Sequence, residues 1–297
     1  MSRTIRGWFT AGALLTFASV VMGAVVAATQ SGASCPNWPG CYVDQFAPAA
    51  QLSPLIEFTH RVIAGATGPA VLVAAILGRR LPDPRPRRLA WIALAGAIAA
   101  GVFGMLTVKV GIPWWLGMID LACALTAMVS LLLARVLLTP ETHWAPGWTA
   151  RVAWGALGFL AVLHLCGIAV AGPGSFTRVL SWPLGVLPAD RWPMLQSLRI
   201  WLAVAACGLI VTAVVRASGR RGLWRVGLSA GLLLLAELGI GAALLSGQGG
   251  TALLTAYAVA AAGVFGAVAL LAARASVVPS LPGTADDTLV TVAATAE

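Results

Sequence analysis

Eight apolar runs dominate this sequence, each long enough to cross the roughly 30 Å hydrocarbon core of a bilayer as a helix, for which about 20 residues suffice. They fall near 5–29, 52–78, 89–108, 114–138, 150–172, 195–216, 226–246 and 251–273. A chain in lipid must satisfy its backbone polar groups internally, by helices or by a closed barrel. Barrel strands read as short segments of alternating polarity, a pattern these runs do not have. Composition agrees, because 59% hydrophobic and 10% charged residues contrast with roughly half and a quarter in soluble domains. The expected fold class is therefore all-α: a polytopic membrane protein with eight transmembrane helices.

A formal charge of +9 in a soluble protein would point to nucleic acid, but here the basic residues are segregated between the runs. Arg3, Arg6, Arg79, Arg80, Arg85, Arg87, Arg88, Arg135, Arg151, Arg216, Arg220, Arg221, Arg225 and Arg274 fall on one side. The opposite side holds Lys109, Arg178 and Arg191. The positive-inside rule makes the arginine-rich side cytoplasmic, with both termini there and the loops after spans one, three, five and seven outside. Membrane lipid is the expected surroundings, in a bacterial inner membrane, and no nucleic-acid partner is expected. The first span is too long and lacks the small-residue cleavage site of a removable signal peptide, so it reads as a retained helix.

The two halves repeat one another. GAVVAATQSGASCPNWP from Gly23 aligns without gaps on GIAVAGPGSFTRVLSWP from Gly167, pairing Ser31 with Ser175 and Trp38-Pro39 with Trp182-Pro183. Pro54 and Glu57 then match Pro193 and Gln196, and the stretch 104–120 matches 241–257. Four spans separate equivalent positions, which predicts two pseudo-symmetric four-helix bundles of parallel topology. The expected division is 1–139, 140–274 and a polar, disordered tail over 275–297.

Polar residues inside the runs share one depth. At 1.5 Å per residue, Glu57 and His60 lie about 5 and 9 Å inward from Pro54, Asp120 about 9 Å from Trp114, and His164 about 12 Å from the end of its span. Arg199 and Tyr257 are six residues into theirs. Such residues usually face the bundle interior and pair, because a charge at mid-membrane costs on the order of 2.5 to 3.5 kcal/mol. Glu57 is three residues before His60 and four before Arg61, so it shares a helical face with either. One reading pairs Glu57 with Arg61 and leaves His60 as a hydrogen-bonded core residue. The other is a haem pocket, in which a neutral imidazole ligates iron and a carboxylate handles protons released as a carbon is oxidised.

Cys123, Cys166 and Cys207 lie within spans and read as small buried hydrophobes. Cys35 and Cys41 share the first outside loop, where a disulfide, two free thiols or a redox-responsive pair are all compatible with the spacing. Trp38, Trp114, Trp115, Trp144, Trp148, Trp182 and Trp192 sit near span ends, as interfacial anchors do. Trp38 and Trp182 also occupy equivalent repeat positions, from which they would cap two half-sites.

The segments GAVVAATQSGASCPNWPGC, IEFTHR and GMLTVKVGIPWWLGMID resemble the haem A synthase family of eight-span membrane proteins. The resemblance implies two pseudo-symmetric four-helix halves and oxidation of the C8 methyl of haem O to a formyl group, giving haem A for cytochrome oxidase. It makes Cys35 and Cys41 the loop cysteine pair, Glu57 the catalytic acid, and His60 the ligand of haem iron in the substrate half. It implies a second haem b in the other half as electron acceptor, with haem O synthase or cytochrome oxidase assembly factors as partners. Where the family has further ligand histidines, this chain has Asp120, Leu198 or Arg199, and Tyr257. These make Asp120, Arg199 and Tyr257 the candidate cofactor-binding residues beside His60, and leave the second-half haem b without its histidines. Two alternatives stay open: a non-catalytic haem-binding or oxidase-assembly protein on the same scaffold, and a small-molecule or proton transporter.

Overall fold

The computed structural model describes residues 3–111, 113–140, 142–170, 192, 194–247 and 249–279. The loop expected after span five, with Arg178, Trp182 and Arg191, and the tail beyond 279 lie outside the described residues. Eight helices are long and apolar enough to cross a membrane: α1 (Arg3–Ala28), α2 (Leu52–Gly78), α3 (Pro84–Val110), α4 (Trp114–Leu137), α5 (Trp148–Val170), α6 (Met194–Ser218), α7 (Trp224–Leu245) and α8 (Thr251–Ala275). Their outward faces carry bare aliphatic and aromatic side chains, among them Trp201, Val211, Val215 and Leu235, all more than half exposed. A surface of that kind is matched by lipid and not by water. The chain is a multi-pass membrane protein.

Local chemistry sets the helix ends. The α3 helix begins five residues before the apolar run expected at 89, because Pro84 and Pro86 fall in its first turn, where no intrahelical N–H is needed. Asp83 caps it by accepting a hydrogen bond from the Arg85 backbone N–H at 2.8 Å. Its other end closes on Gly111 with φ 88°, a left-handed conformation that glycine adopts without steric cost. Inside α2, Pro69 removes one rung of the helical ladder and leaves the Gly65 carbonyl without its usual donor.

The helices pack in two rings. In the first, α1 and α3 each contact both α2 and α4; in the second, α5 and α7 each contact both α6 and α8. The rings meet where α8 packs on α1 and α4, and α5 on α4. Small residues allow these close approaches: a Cβ on Gly266 of α8 would stand 2.5 Å from the Phe17 ring of α1. The arginine-rich end of the first ring is filled by Phe9, Val71, Ala74, Ala90 and Leu131. The second ring is filled by Leu160, Ile210, Leu234 and Phe265 with their neighbours.

The tail does not become irregular at 275. Two short strands, β1 (Thr142–Trp144) and β2 (Val277–Pro279), pair antiparallel with His143 opposite Val278. The Trp154 indole donates to Ser276 Oγ at 3.0 Å. These bonds fasten the end of α8 to α5 and to the connection between the rings, which the polar composition of the tail did not reveal.

Backbone meets backbone between α3 and α4, where a Cβ on Gly96 would stand 2.9 Å from the Cys123 carbonyl oxygen and 3.2 Å from the Ala127 nitrogen. Backbone cannot yield as a side chain does. Gly96→Ala is expected to destabilise the protein by about 1–3 kcal/mol. Gly208→Ala, with nothing within 4 Å of the added methyl, is expected to be neutral or to stabilise by up to ~1 kcal/mol. Thermal unfolding in detergent, followed by tryptophan fluorescence, measures the difference.

Candidate functional site

At the end of the first ring opposite the arginines, the helices part around a cavity of about 350 Å³, within the range of small-molecule and cofactor sites. Glu57 and His60 of α2, Gly104 of α3 and Asp120 of α4 line it, with Trp38 from the Cys loop above and His164 of α5 at the junction with the second ring. The helical repeat places Glu57 and His60 on one face of α2, one turn apart. Most of the remaining wall is alanine, glycine and valine. Two glycines keep it open beside the polar groups: a Cβ on Gly23 would lie 3.4 Å from His60 Nε2, and one on Gly104 would lie 3.8 Å from the Asp120 carboxylate oxygens.

Arg61 organises this end. Its Nε donates to Glu57 Oε1 at 2.8 Å, its Nη2 to the Cys35 carbonyl at 2.7 Å, and its Nη1 to the Gly40 carbonyl at 3.0 Å and to the Asn37 carbonyl. The fixed fork of a guanidinium suits such convergent acceptors, as a lysine would not. The loop is closed by a disulfide between Cys35 and Cys41. It is braced by Cys41 N–H on the Phe46 carbonyl at 3.2 Å and Asn37 N–H on the Cys41 carbonyl at 3.1 Å. The pairing of Glu57 with Arg61 and the opening of Glu57 and His60 into a cavity are thus both present, although the sequence posed them as alternatives.

The expected site residues divide into two groups. Glu57, His60 and Asp120 share the cavity. Arg199 and Tyr257 are not among the residues lining it: both are fully buried, Arg199 with its Nη1 donating to Gln196 Oε1 at 3.0 Å, and Tyr257 at the seam between the rings, beside Ala28 of α1 and Ala258. This Gln196–Arg199 contact resembles the Glu57–Arg61 pair of α2, with an uncharged amide in place of the carboxylate and one residue less between the partners. Trp38 is among the residues lining the first cavity; Trp182 is outside the described residues.

Two features lie outside the residues expected from the sequence. Glu237 of α7 is fully buried with both carboxyl oxygens lacking a hydrogen-bond partner among the described residues; a lone glutamate in the middle of an apolar span was the available signal. The carbonyl partners of Arg61 had none, because a backbone acceptor leaves no mark in sequence.

Removing the guanidinium leaves the Glu57 carboxylate buried and unpaired and frees three loop carbonyls. Breaking a pair of this kind costs about 3–5 kcal/mol. Arg61→Met is therefore expected to lower the thermal midpoint sharply and to open the 35–51 loop to protease, with Arg61→Lys recovering only part of the loss. Limited proteolysis with mass mapping checks both outcomes.

No family model matches the sequence. Among curated proteins, the chain is 32% identical over 178 residues to the protoheme IX farnesyltransferase of Thermus thermophilus, a match covering 56% of this chain and 29% of that protein. It is 30% identical over 112 residues to the heme A synthase of Shewanella oneidensis, covering 32% of this chain and 34% of that protein. With the heme A synthase of Halalkalibacterium halodurans it shares 28% identity over 107 residues, covering 35% and 36%. The chain thus matches about a third of the length of these relatives, and most of each lies outside the match.

Proposed function

We propose that this chain is a haem A synthase-like membrane protein of a bacterial cell membrane, oxidising the C8 methyl of haem O to a formyl group. The observation that carries the proposal is the placement of Glu57 and His60 one turn apart on a shared apolar cavity. The partial similarity to a protein named heme A synthase supports this reading, and that to a protein named protoheme IX farnesyltransferase supports a place in haem biosynthesis. The segregated arginines support cytoplasmic termini, which puts the cavity near the outer face.

The first-ring cavity fits a porphyrin in kind. It has one imidazole, a mostly apolar wall, and a glycine where a side chain on α1 would crowd Nε2. A haem held there by His60 is substrate in this reading. Conversion of the methyl group with one water to a formyl group releases four protons and four electrons. Glu57 is positioned to take protons, its Oε1 already held by Arg61 so that the carboxylate keeps one orientation. The electrons require a one-electron acceptor of the haem or quinone class. Among the described residues, the middle of the second ring is filled by aliphatic and aromatic side chains, and its candidate positions hold Arg199 and Tyr257 in place of histidines. No step is therefore assigned to it.

That filled second ring favours one further reading, a haem-binding or oxidase-assembly protein that keeps the site and has lost the reaction. Co-expression with a source of haem O separates the two. The enzyme reading predicts haem A in wild-type extracts. It also predicts a fall of roughly 10²-fold or more in Glu57→Gln, the usual scale of a lost general base, without loss of folded protein. Bound haem without haem A in the wild type supports the assembly reading.

Gly23→Ala adds a methyl in ordinary contact with His60 Nε2 and blocks the approach to that nitrogen. It is expected to leave the thermal midpoint nearly unchanged while reducing haem content at least severalfold. Equal haem content in variant and wild type would count against ligation by His60.

A further inference from the structure

The first ring places two different chemical groups on opposite walls of one cavity. The α2 and α4 helices are diagonal in that ring: each packs on α1 and α3, and the cavity lies between them. His60 is eight residues into α2 and Asp120 six into α4, so the helical rise brings them to depths within about 3 Å of each other. A glycine without a side chain stands beside each group, Gly23 at the imidazole and Gly104 at the carboxyl. No hydrogen bond or ion pair engages the Asp120 carboxyl among the described residues.

The other histidine on the cavity is placed differently. His164 belongs to α5, which packs on α4, α6 and α8 and forms no part of the first ring. Its Nδ1 lies 3.0 Å from the Leu160 carbonyl, and its ring meets Phe265 edge-on at 5.2 Å. That imidazole is seated by its own helix and by α8, both of the second ring.

Resting on the haem reading above, we infer that Asp120 faces a bound haem from the side opposite His60, so that the protein supplies one imidazole and leaves the other axial side to a carboxyl or a small molecule. Axial-ligand identity is the main lever a protein has on haem iron. Two imidazoles make a strong-field pair and low-spin ferric iron; one imidazole facing a carboxyl or water makes high-spin iron. The same geometry leaves that side accessible to a small added ligand.

The test uses the full chain, purified in detergent from haem-supplemented cells or titrated with hemin, with absorption and electron paramagnetic resonance spectra of the ferric protein. The inference predicts high-spin iron in the wild type, conversion to low spin on adding imidazole, and low spin without added imidazole in Asp120→His. The imidazole titration needs no variant, so it decides the matter even where Asp120→His fails to fold. A low-spin wild type overturns the inference while leaving haem binding intact. If that spectrum becomes high-spin in His164→Ala, the second ligand is His164. A high-spin wild type unmoved by imidazole also overturns it. Absence of a Soret band after hemin titration overturns the haem reading itself and this inference with it.

Discussion

The arrangement at the cavity depends on one guanidinium. Arg61 lies within an apolar helix, where an unpaired charge would be costly, and its Nε, Nη1 and Nη2 are all engaged by the carboxylate of Glu57 and three carbonyls of the Cys loop. The same contacts that neutralise the arginine fix the orientation of the acid and draw the loop over the bundle. Trp38 is carried with the loop to the roof of the cavity. The disulfide between Cys35 and Cys41 shortens the segment that supplies the carbonyls, so covalent and electrostatic restraint act on one small structure. Glu57 is thus oriented on one side by a structural partner and opens on the other to a site.

The two rings have the same neighbour relations but different interiors. The first keeps a hollow at one end and a packed aliphatic cluster at the other. In the second, positions equivalent to Glu57, His60 and Asp120 hold Gln196, Arg199 and Tyr257, and aliphatic side chains fill the middle. Arg199 and Gln196 bond to each other much as Arg61 and Glu57 do. Glu237, buried without a partner among the described residues, is the carboxyl group in the second ring that packing leaves unexplained.

How much of this was legible in the sequence follows from which interactions leave a pattern. Long apolar runs identify spans because bilayer thickness fixes a minimum helix length, and all eight were found. The start of α3 was missed because prolines that end a helix elsewhere are tolerated in its first turn. Glu57, His60 and Asp120 stood out through the energetic burden of polar side chains in lipid, and the structure gathers these three. The same reasoning grouped Arg199 and Tyr257 with them, since depth along a helix says nothing about which of two rings a residue faces. The anchoring of Arg61 was invisible, because its acceptors are backbone carbonyls 21 to 26 residues earlier. The β1–β2 pairing was invisible for a like reason: it joins segments more than 130 positions apart through main-chain bonds.

The central claim is that the first ring holds a haem and the second does not. Pyridine extraction of the purified, haem-replete protein, with haem quantified against polypeptide, measures this directly. The account predicts one haem per chain, lost in His60→Ala. Two haems per chain, or one that survives replacement of His60, would contradict it.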